Sequence, residues 1–300
     1  MDAEIAQWLE SARAKLAAGN PADAGLVDPT LDDAGVMDFV CRGYVQLDGV
    51  VADEFNQVCA ALPGGSLREF ACTPRFRREL LLHPQVAGVA RSVLGEDFLV
   101  ADSAHHHLFE QPHAGQTWHS DGISERGHGV HHLQCYYYPR DVGPAHGPTM
   151  VLPGSHHRLV DREAIAHYGD ILGQRSLTVP AGTVVLTHYG IWHKAGPKLS
   201  RTRRGMIKFS YFRTAAPIRD WRNASGEPPS FDHGDESRHP YAGEVEFYRD
   251  MSRRLSMWHW LCGIEPSGDP ARGAKLFAAA SPLRDVVAAT AGADPAAENR

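Results

Sequence analysis

Two histidines and one aspartate occupy positions from which they could bind a single metal ion. His119 and Asp121 flank one serine, and His193 follows far downstream. In a β-strand, residues i and i+2 point to the same side, so the first two side chains could reach one ion. Two imidazoles and one carboxylate, with the other metal positions open, are typical of non-haem iron(II) oxygenases. We therefore predict that His119, Asp121 and His193 are the metal ligands and form the catalytic centre.

This spacing alone is a weak signal, because the chain contains 18 histidines. An ion-paired histidine at a polar strand end would explain it equally well. Three neighbouring segments favour the metal site. A Pro-Gly-Ser-His turn occupies residues 153–156, the apolar run Thr183–His193 looks like a strand with His193 near its end, and Arg203 and Arg204 open a further strand.

At these residues the chain resembles the phytanoyl-CoA dioxygenase family of iron(II)- and 2-oxoglutarate-dependent oxygenases. The resemblance extends from about Gly43 to Phe212. It rests on the segments Gly43–Val51, Trp118–Gly122, Leu152–His156, Ala181–Leu186, the His193 segment and the arginine pair. It implies a mainly β fold with flanking helices: a double-stranded β-helix core of the jelly-roll or cupin type, with N-terminal and C-terminal helices.

The resemblance also implies a ligand set and a cosubstrate site. His119, Asp121 and His193 match the metal ligands, and Arg204 matches the arginine that binds the distal carboxylate of 2-oxoglutarate. Arg203 stays open as the alternative, because a one-residue slip of a strand moves a side chain to the opposite face.

Further expectations concern the pocket and the reaction. Tyr136 and Thr149 are expected to be further cosubstrate-binding residues. Lys198 departs from the family, since many members have asparagine there. Members that halogenate lack the carboxylate ligand, so Asp121 favours hydroxylation. The expected cofactors are Fe(II), 2-oxoglutarate and O2, with succinate and CO2 as products.

Two other classes of protein are compatible with the same residues. A hydrolase or isomerase could use the three ligands with zinc or another metal, and it would need neither the arginine nor a cosubstrate. A non-catalytic β-barrel binding protein could carry a degenerate site, although the intact ligand set argues against it.

The composition of the chain limits the classes of partner and the cell compartment that we expect. The formal net charge of −6 provides no basic footprint for nucleic acid. No apolar run reaches the roughly 18 residues of a membrane span, and the N-terminus lacks the pattern of a signal peptide. Five scattered cysteines fit a reducing compartment. We expect a cytoplasmic enzyme that acts on a small molecule, such as one of secondary metabolism; a homodimer is one assembly open to it.

Hydrophobic periodicity and turn residues predict one domain over residues 1–300, with a core at about 43–215 and a lid-like segment with C-terminal helices at about 216–300. The predicted helices are Ile5–Ala18, Asp53–Leu62 with Asp53 as a cap, Pro84–Leu94, Glu244–Cys262 and a weaker Ala271–Ala293, and Val36–Cys41 is predicted as a helical turn. The predicted strands are Tyr44–Val51, Phe98–Glu110, Gly129–Pro139, Thr183–Tyr189 and Arg204–Arg213.

Alternation within two of these strands predicts which side chains share a face. His132, Gln134, Tyr136 and Tyr138 would form one face of their strand, which could hold cosubstrate or substrate. Leu133 and Tyr137, on the opposite face, are the alternative lining. In the last strand, Arg204, Met206, Lys208 and Ser210 share one side.

Overall fold

The structure is a computed structural model that describes residues 27–63, 65–100, 104–122, 128–158, 160, 162–222 and 244–264. The predicted helices Ile5–Ala18 and Ala271–Ala293, and most of the predicted lid-like segment, lie outside these residues. The helices are α1 (Asp33–Arg42), α2 (Asp53–Ala61), α3 (Leu67–Ala71), α4 (Pro74–Phe76), α5 (Pro84–Leu94), α6 (Arg162–Ile165) and α7 (Glu244–Leu261). A π-turn at Arg77–Leu81 extends α4, and a 3-10 turn occupies Ser155–His157.

The strands are β1 (Tyr44–Leu47), β2 (Leu99–Val100), β3 (His105–Phe109), β4 (His132–Tyr138), β5 (Thr149–Leu152), β6 (Arg175–Leu177), β7 (Thr183–His188), β8 (Trp192–Ala195) and β9 (Arg204–Phe212). They form two antiparallel sheets. The larger sheet has the order β1-β7-β4-β9-β2, with β3 also paired to β9, and the smaller sheet has the order β6-β5-β8. The fold is therefore mainly antiparallel β with helices at its flanks.

The larger sheet is buried on both faces, and the two faces meet different layers. One face packs against α1, α2, α5 and α7 in a single apolar cluster, to which β4 and β9 contribute Leu133, Cys135, Tyr137, Ile207, Phe209 and Tyr211. The opposite face meets the smaller sheet through a second cluster that includes Tyr136, Tyr138, Val185, Met206, Val151 and Leu177. Tyr136 therefore lies between the sheets and Tyr137 lies under the helices, and the face of β4 and β9 that bears Tyr136 is called the cavity face.

The junction of α1 and β1 ties the helical layer to the 153–156 turn. Asp32 caps α1 by accepting a hydrogen bond from the Gly35 amide at 2.9 Å. Gly43 ends the helix with φ 81°, and a Cβ at Gly43 would lie 2.4 Å from His156 Nδ1. Only glycine satisfies both conditions. The Gly43 carbonyl then accepts a hydrogen bond from the His188 amide at 2.8 Å, which fixes the end of β7.

Several sequence-based expectations are confirmed, and others are wrong. Helix α5 has the predicted bounds, and β7 and β9 each end one residue early. The run Thr183–His193 is not one strand, because β7 ends at His188 and β8 begins at Trp192 in the other sheet. Asp53 is not a cap: Ala52 holds the cap position, with no side-chain hydrogen bond.

Two further differences concern helices. The turn expected at Val36–Cys41 is part of a ten-residue helix, α1, because the Asp32 cap starts it earlier. Among the described helices, none combines the length and apolar character needed to cross a membrane.

Candidate metal centre and cosubstrate pocket

A single antiparallel bridge brings the two predicted histidine ligands together. The His119 amide donates to the His193 carbonyl at 3.0 Å, and the His193 amide donates to the His119 carbonyl at 2.9 Å. Residues paired in this way project side by side, and the two imidazole centroids lie 4.4 Å apart. The spacing of His119 and Asp121 predicts a regular strand. That is wrong, because the segment holds only this bridge and a bend.

The hydrogen bonds of the two imidazoles assign their free nitrogens. His119 Nδ1 lies 2.9 Å from the Thr117 carbonyl oxygen, and His193 Nδ1 lies 3.2 Å from that of Ile191. A carbonyl only accepts, so each Nδ1 carries a proton and, in the neutral ring, each Nε2 presents a lone pair. His193 Nε2 is buried without a hydrogen-bond partner. Burial, and then the neighbouring His193, lower the pKa of His119, which favours its neutral form.

Asp121 completes a donor set that fits a divalent cation. Its Oδ1 lies 4.0 Å from His119 Nε2, and its Oδ2 lies 3.5 Å from His193 Nε2. One ligand atom from each of the three residues lies within 4.8 Å of the other two. Burial alone would raise the pKa of Asp121, but the interactions with His193 and Lys208 hold it well below its ordinary value. Two imidazoles and one carboxylate thus converge on one point.

Asp121 has two further partners that the sequence analysis did not identify. Gln134 Nε2 donates to Asp121 Oδ2 at 2.7 Å, and Lys208 Nζ donates to the same oxygen at 2.6 Å. Alternation had placed each of them on the face of its strand that bears Tyr136 or Arg204. That pattern alone could not show that both side chains reach Asp121, because the contact joins three separate segments.

Arg204 lies at the start of β9, between the two sheets, and is only 3% exposed. Its Nη2 donates to Thr149 Oγ1 at 3.0 Å, and Thr149 Oγ1 also accepts from the Tyr138 hydroxyl at 2.9 Å. Its Nε is buried without a hydrogen-bond partner. Within the described part of the chain, no carboxylate pairs with this guanidinium. Burial lowers the pKa of Arg204, and an isolated buried charge is costly, so the site favours an incoming anion.

Arg203 lies in a different environment from Arg204. Its Nη2 donates to the Leu62 carbonyl at 2.6 Å, and its Nε lies 3.9 Å from Glu110 Oε1. The side chain is 29% exposed. The Nε atoms of both arginines lack a hydrogen-bond partner, so the two residues differ in their surroundings: Arg203 is partly exposed and lies near Glu110, whereas Arg204 is buried without a carboxylate neighbour.

The remaining candidates divide between the cavity and the protein interior. The Tyr136 hydroxyl donates to Gln134 Oε1 at 2.8 Å. Its hydrogen-bond partner is therefore a residue beside the metal centre. His107 pairs with Met206 across β3 and β9 and shares the cavity face. Burial first, and then the charges of Lys208 and Arg204, lower its pKa to about 4.

His188 accepts from the Gly190 amide at 3.0 Å and packs on His156, as a buried structural histidine would. Lys198 is buried and donates to the Ser200 carbonyl.

Comparisons with known proteins found one family model and several solved structures that are similar to this chain. Residues 65–206 match the family model described as phytanoyl-CoA dioxygenase. No curated protein matches the chain. Among solved structures, iron-bound HygX from Streptomyces hygroscopicus shares 18% identity at a TM-score of 0.50, covering 65% of this chain and 90% of that chain. EctD from S. alaskensis with bound Fe shares 21% identity at a TM-score of 0.49, covering 62% and 78%. HygX with nickel and 2-oxoglutarate bound shares 17% identity at a TM-score of 0.49, covering 64% and 90%.

Proposed function

The chain belongs to the phytanoyl-CoA dioxygenase family, and from this premise we propose that it is an iron(II)- and 2-oxoglutarate-dependent dioxygenase that hydroxylates a small molecule. His119, Asp121 and His193 bind the metal, and Arg204 binds the cosubstrate. Succinate and CO2 are the products derived from 2-oxoglutarate. The presence of Asp121 favours hydroxylation, because a halogenating site would leave this ligand position to chloride.

The observation that carries this proposal is a buried guanidinium without a carboxylate partner, on the same face of β9 as Lys208, whose ammonium contacts the metal-binding Asp121. A dicarboxylate such as 2-oxoglutarate supplies one carboxylate for Arg204 and another for the metal. The planar fork of arginine meets a carboxylate with two parallel hydrogen bonds. Neither a zinc hydrolase nor an inert barrel needs such a group.

Each residue of the site then has a separate task. The three side chains would hold the metal ion and, as only three protein ligands, would leave room on it for the cosubstrate. Thr149 and Tyr138 fix the direction of the Arg204 guanidinium, which sets the position of the distal carboxylate. Neutral His107 lies on the same face without adding charge. Bound iron(II) supplies the oxygen chemistry, whereas the protein supplies position and exclusion of water.

We further propose that the two sheets are the halves of a double-stranded β-helix, which the shared apolar cluster between them supports. Residues 1–300 then form one oxygenase domain, in which residues 216–300 contribute a lid-like segment and C-terminal helices. A small-molecule substrate, a cytoplasmic location and a homodimer belong to the same proposal.

The test is an anaerobic titration of the protein with Fe(II) and 2-oxoglutarate. We expect a weak visible charge-transfer band that needs both additions, because the keto acid chelates the metal. Succinate without 2-oxoglutarate is the matched control, since it lacks the keto oxygen. A protein that binds Fe(II) but never develops the band would refute the proposed cosubstrate and would favour a hydrolase or a binding protein.

A further inference from the structure

We propose that Lys208 and Gln134 are positioning residues that hold one oxygen of Asp121, so that the carboxylate binds the metal through the other oxygen alone. This inference rests on the proposed function, because it concerns how the metal site keeps positions open. Neither residue is expected to touch the substrate.

The two carboxylate oxygens of Asp121 differ sharply in their partners. Oδ2 accepts from Gln134 Nε2 at 2.7 Å and from Lys208 Nζ at 2.6 Å. It also lies 3.5 Å from His193 Nε2, which carries no proton in the tautomer assigned above. Oδ1 has no hydrogen bond within the described part of the chain and lies 4.0 Å from His119 Nε2. A cation can therefore reach Oδ1 without displacing a donor, whereas at Oδ2 it would compete with an ammonium group.

The orientation of Gln134 is set by Tyr136. The Tyr136 hydroxyl donates to Gln134 Oε1 at 2.8 Å, which leaves the amide nitrogen for Asp121. An amide turned the other way would present its oxygen to a carboxylate, and two acceptors cannot form a hydrogen bond. Tyr136 thus acts on the metal site through Gln134, a role different from the cosubstrate contact expected from the sequence.

Strand register explains how Lys208 reaches the same oxygen. Lys208 pairs with Tyr136 across β4 and β9, and its ammonium lies 5.4 Å from the centre of the Tyr136 ring. The side chain is 13% exposed. Lys208 and Gln134 therefore approach Asp121 from adjacent strands, and both lie next to Tyr136.

Single-oxygen binding matters because the reaction uses the open metal positions. A bound ion held by only three protein ligand atoms would keep positions for the keto acid and for O2. A carboxylate bound through both oxygens would occupy one of these positions. The positive charge of Lys208 also repels a metal cation, so Lys208 keeps a position open at a cost in metal affinity.

Because Lys208 repels a metal cation, its removal is expected to strengthen metal binding rather than weaken it, and Mn(II) is the probe that tests this. We expect Lys208→Met to bind Mn(II) about fivefold to tenfold more tightly than the wild type, because a neighbouring positive charge is lost. Lys194→Met is the matched control. Lys194 lies beside His193, but its ammonium contacts the Gly169 carbonyl and Asp170, so its removal should leave Mn(II) affinity unchanged.

The number of water molecules on Mn(II), measured by water-proton relaxation, tests the geometry directly. We expect three in the wild type and two in the double variant Lys208→Met with Gln134→Leu, where the released carboxylate binds through both oxygens. The double variant should also bind 2-oxoglutarate more weakly once it is loaded with Mn(II). Tyr136→Phe in the Lys208→Met background is the milder substitute if the double variant does not fold.

Two results would overturn the proposal: weaker Mn(II) binding by a folded Lys208→Met protein, or three waters retained after both Oδ2 partners are removed. Either failure is distinct from failure of the proposed function, which would appear in the wild type as a missing charge-transfer band with Fe(II) and 2-oxoglutarate.

Discussion

Strands β4 and β9 present two faces that are both largely buried and chemically opposite. The helix-facing face carries Leu133, Cys135, Tyr137, Ile207, Phe209 and Tyr211, all no more than 2% exposed. The cavity face of the same two strands carries Gln134, Tyr136, Tyr138, Arg204 and Lys208. Burial therefore distinguishes the two faces only slightly. The difference is whether the buried polar groups find hydrogen-bond partners within the protein.

Polar groups on the helix-facing side find protein partners. The Tyr137 hydroxyl donates to Asn56 Oδ1 at 2.6 Å, and the Tyr211 hydroxyl donates to the Leu81 carbonyl at 2.7 Å. The cavity side instead retains Arg204 Nε without a partner, and His193 Nε2 across the cavity is in the same state. Unsatisfied buried groups cost free energy unless a ligand completes them. One face thus contributes to stability, and the other is prepared for ligands.

The largest expected effect on the cavity side comes from removal of a metal ligand. His193→Ala should lower Fe(II) affinity by well over about a hundredfold, since changes to groups that merely support ligands already cost roughly 10–100-fold. Anaerobic equilibrium dialysis measures the affinity, and thermal unfolding of the metal-free protein checks the fold. Affinity within a few-fold of the wild type would remove His193 from the site.

The largest expected effect on the helix-facing side concerns stability. Phe209→Ala should lower the free energy of unfolding by about 3–5 kcal/mol, because a large buried ring leaves a cavity. Urea unfolding of the metal-free protein measures this loss. Mn(II) affinity of the folded variant should stay close to the wild-type value, and a parallel loss of metal affinity would show that the two faces are coupled.

A smaller effect separates the two adjacent arginines. Arg204→Ala should weaken 2-oxoglutarate binding about tenfold to a hundredfold or more, since each hydrogen bond to a charged group contributes roughly 1.5–3 kcal/mol. Iron binding should persist. Arg203→Ala is the matched control and should change cosubstrate affinity little, because Arg203 already bonds Leu62. A larger loss in the Arg203 variant would reverse the assignment.

The smallest expected effect compares two adjacent tyrosines. Tyr138→Phe removes the hydroxyl that contacts Thr149 and should cost about 0.5–1.5 kcal/mol of 2-oxoglutarate affinity. Tyr137→Phe removes the hydroxyl bonded to Asn56 and should cost a similar amount of unfolding free energy, with unchanged cosubstrate affinity. Calorimetric titration and urea unfolding, applied to both variants, measure the two quantities. If both variants lost the same cosubstrate affinity and the same unfolding free energy, the two faces would not differ in function at this position.

Local patterns predicted much of this architecture. Period-two alternation correctly grouped Gln134 with Tyr136 and Arg204 with Lys208, because successive side chains of a strand must point to opposite faces. The bounds of α5 followed from a proline at its start and Gly95 at its end. The roles of Arg204, Tyr136 and Thr149 in binding the cosubstrate stay predictions.

Other features could not be predicted because they depend on contacts between distant segments. The end of β7 at His188, and the transfer of the chain to the smaller sheet at Trp192, depend on partners on β1, β4 and β5. His119 joins His193 through one bridge in place of a strand. A propensity pattern carries no information on such pairing.

By itself, the sequence determined the types of groups available: two imidazoles, one carboxylate, one guanidinium and two alternating strands. These follow from residue identity and from the fixed period of a strand. Only the tertiary structure decided which face encloses the cavity, which arginine turns inward, and that Lys208 and Gln134 share one oxygen of Asp121. The physical reason is that hydrogen bonds and burial between remote segments exist only once the two sheets have packed together.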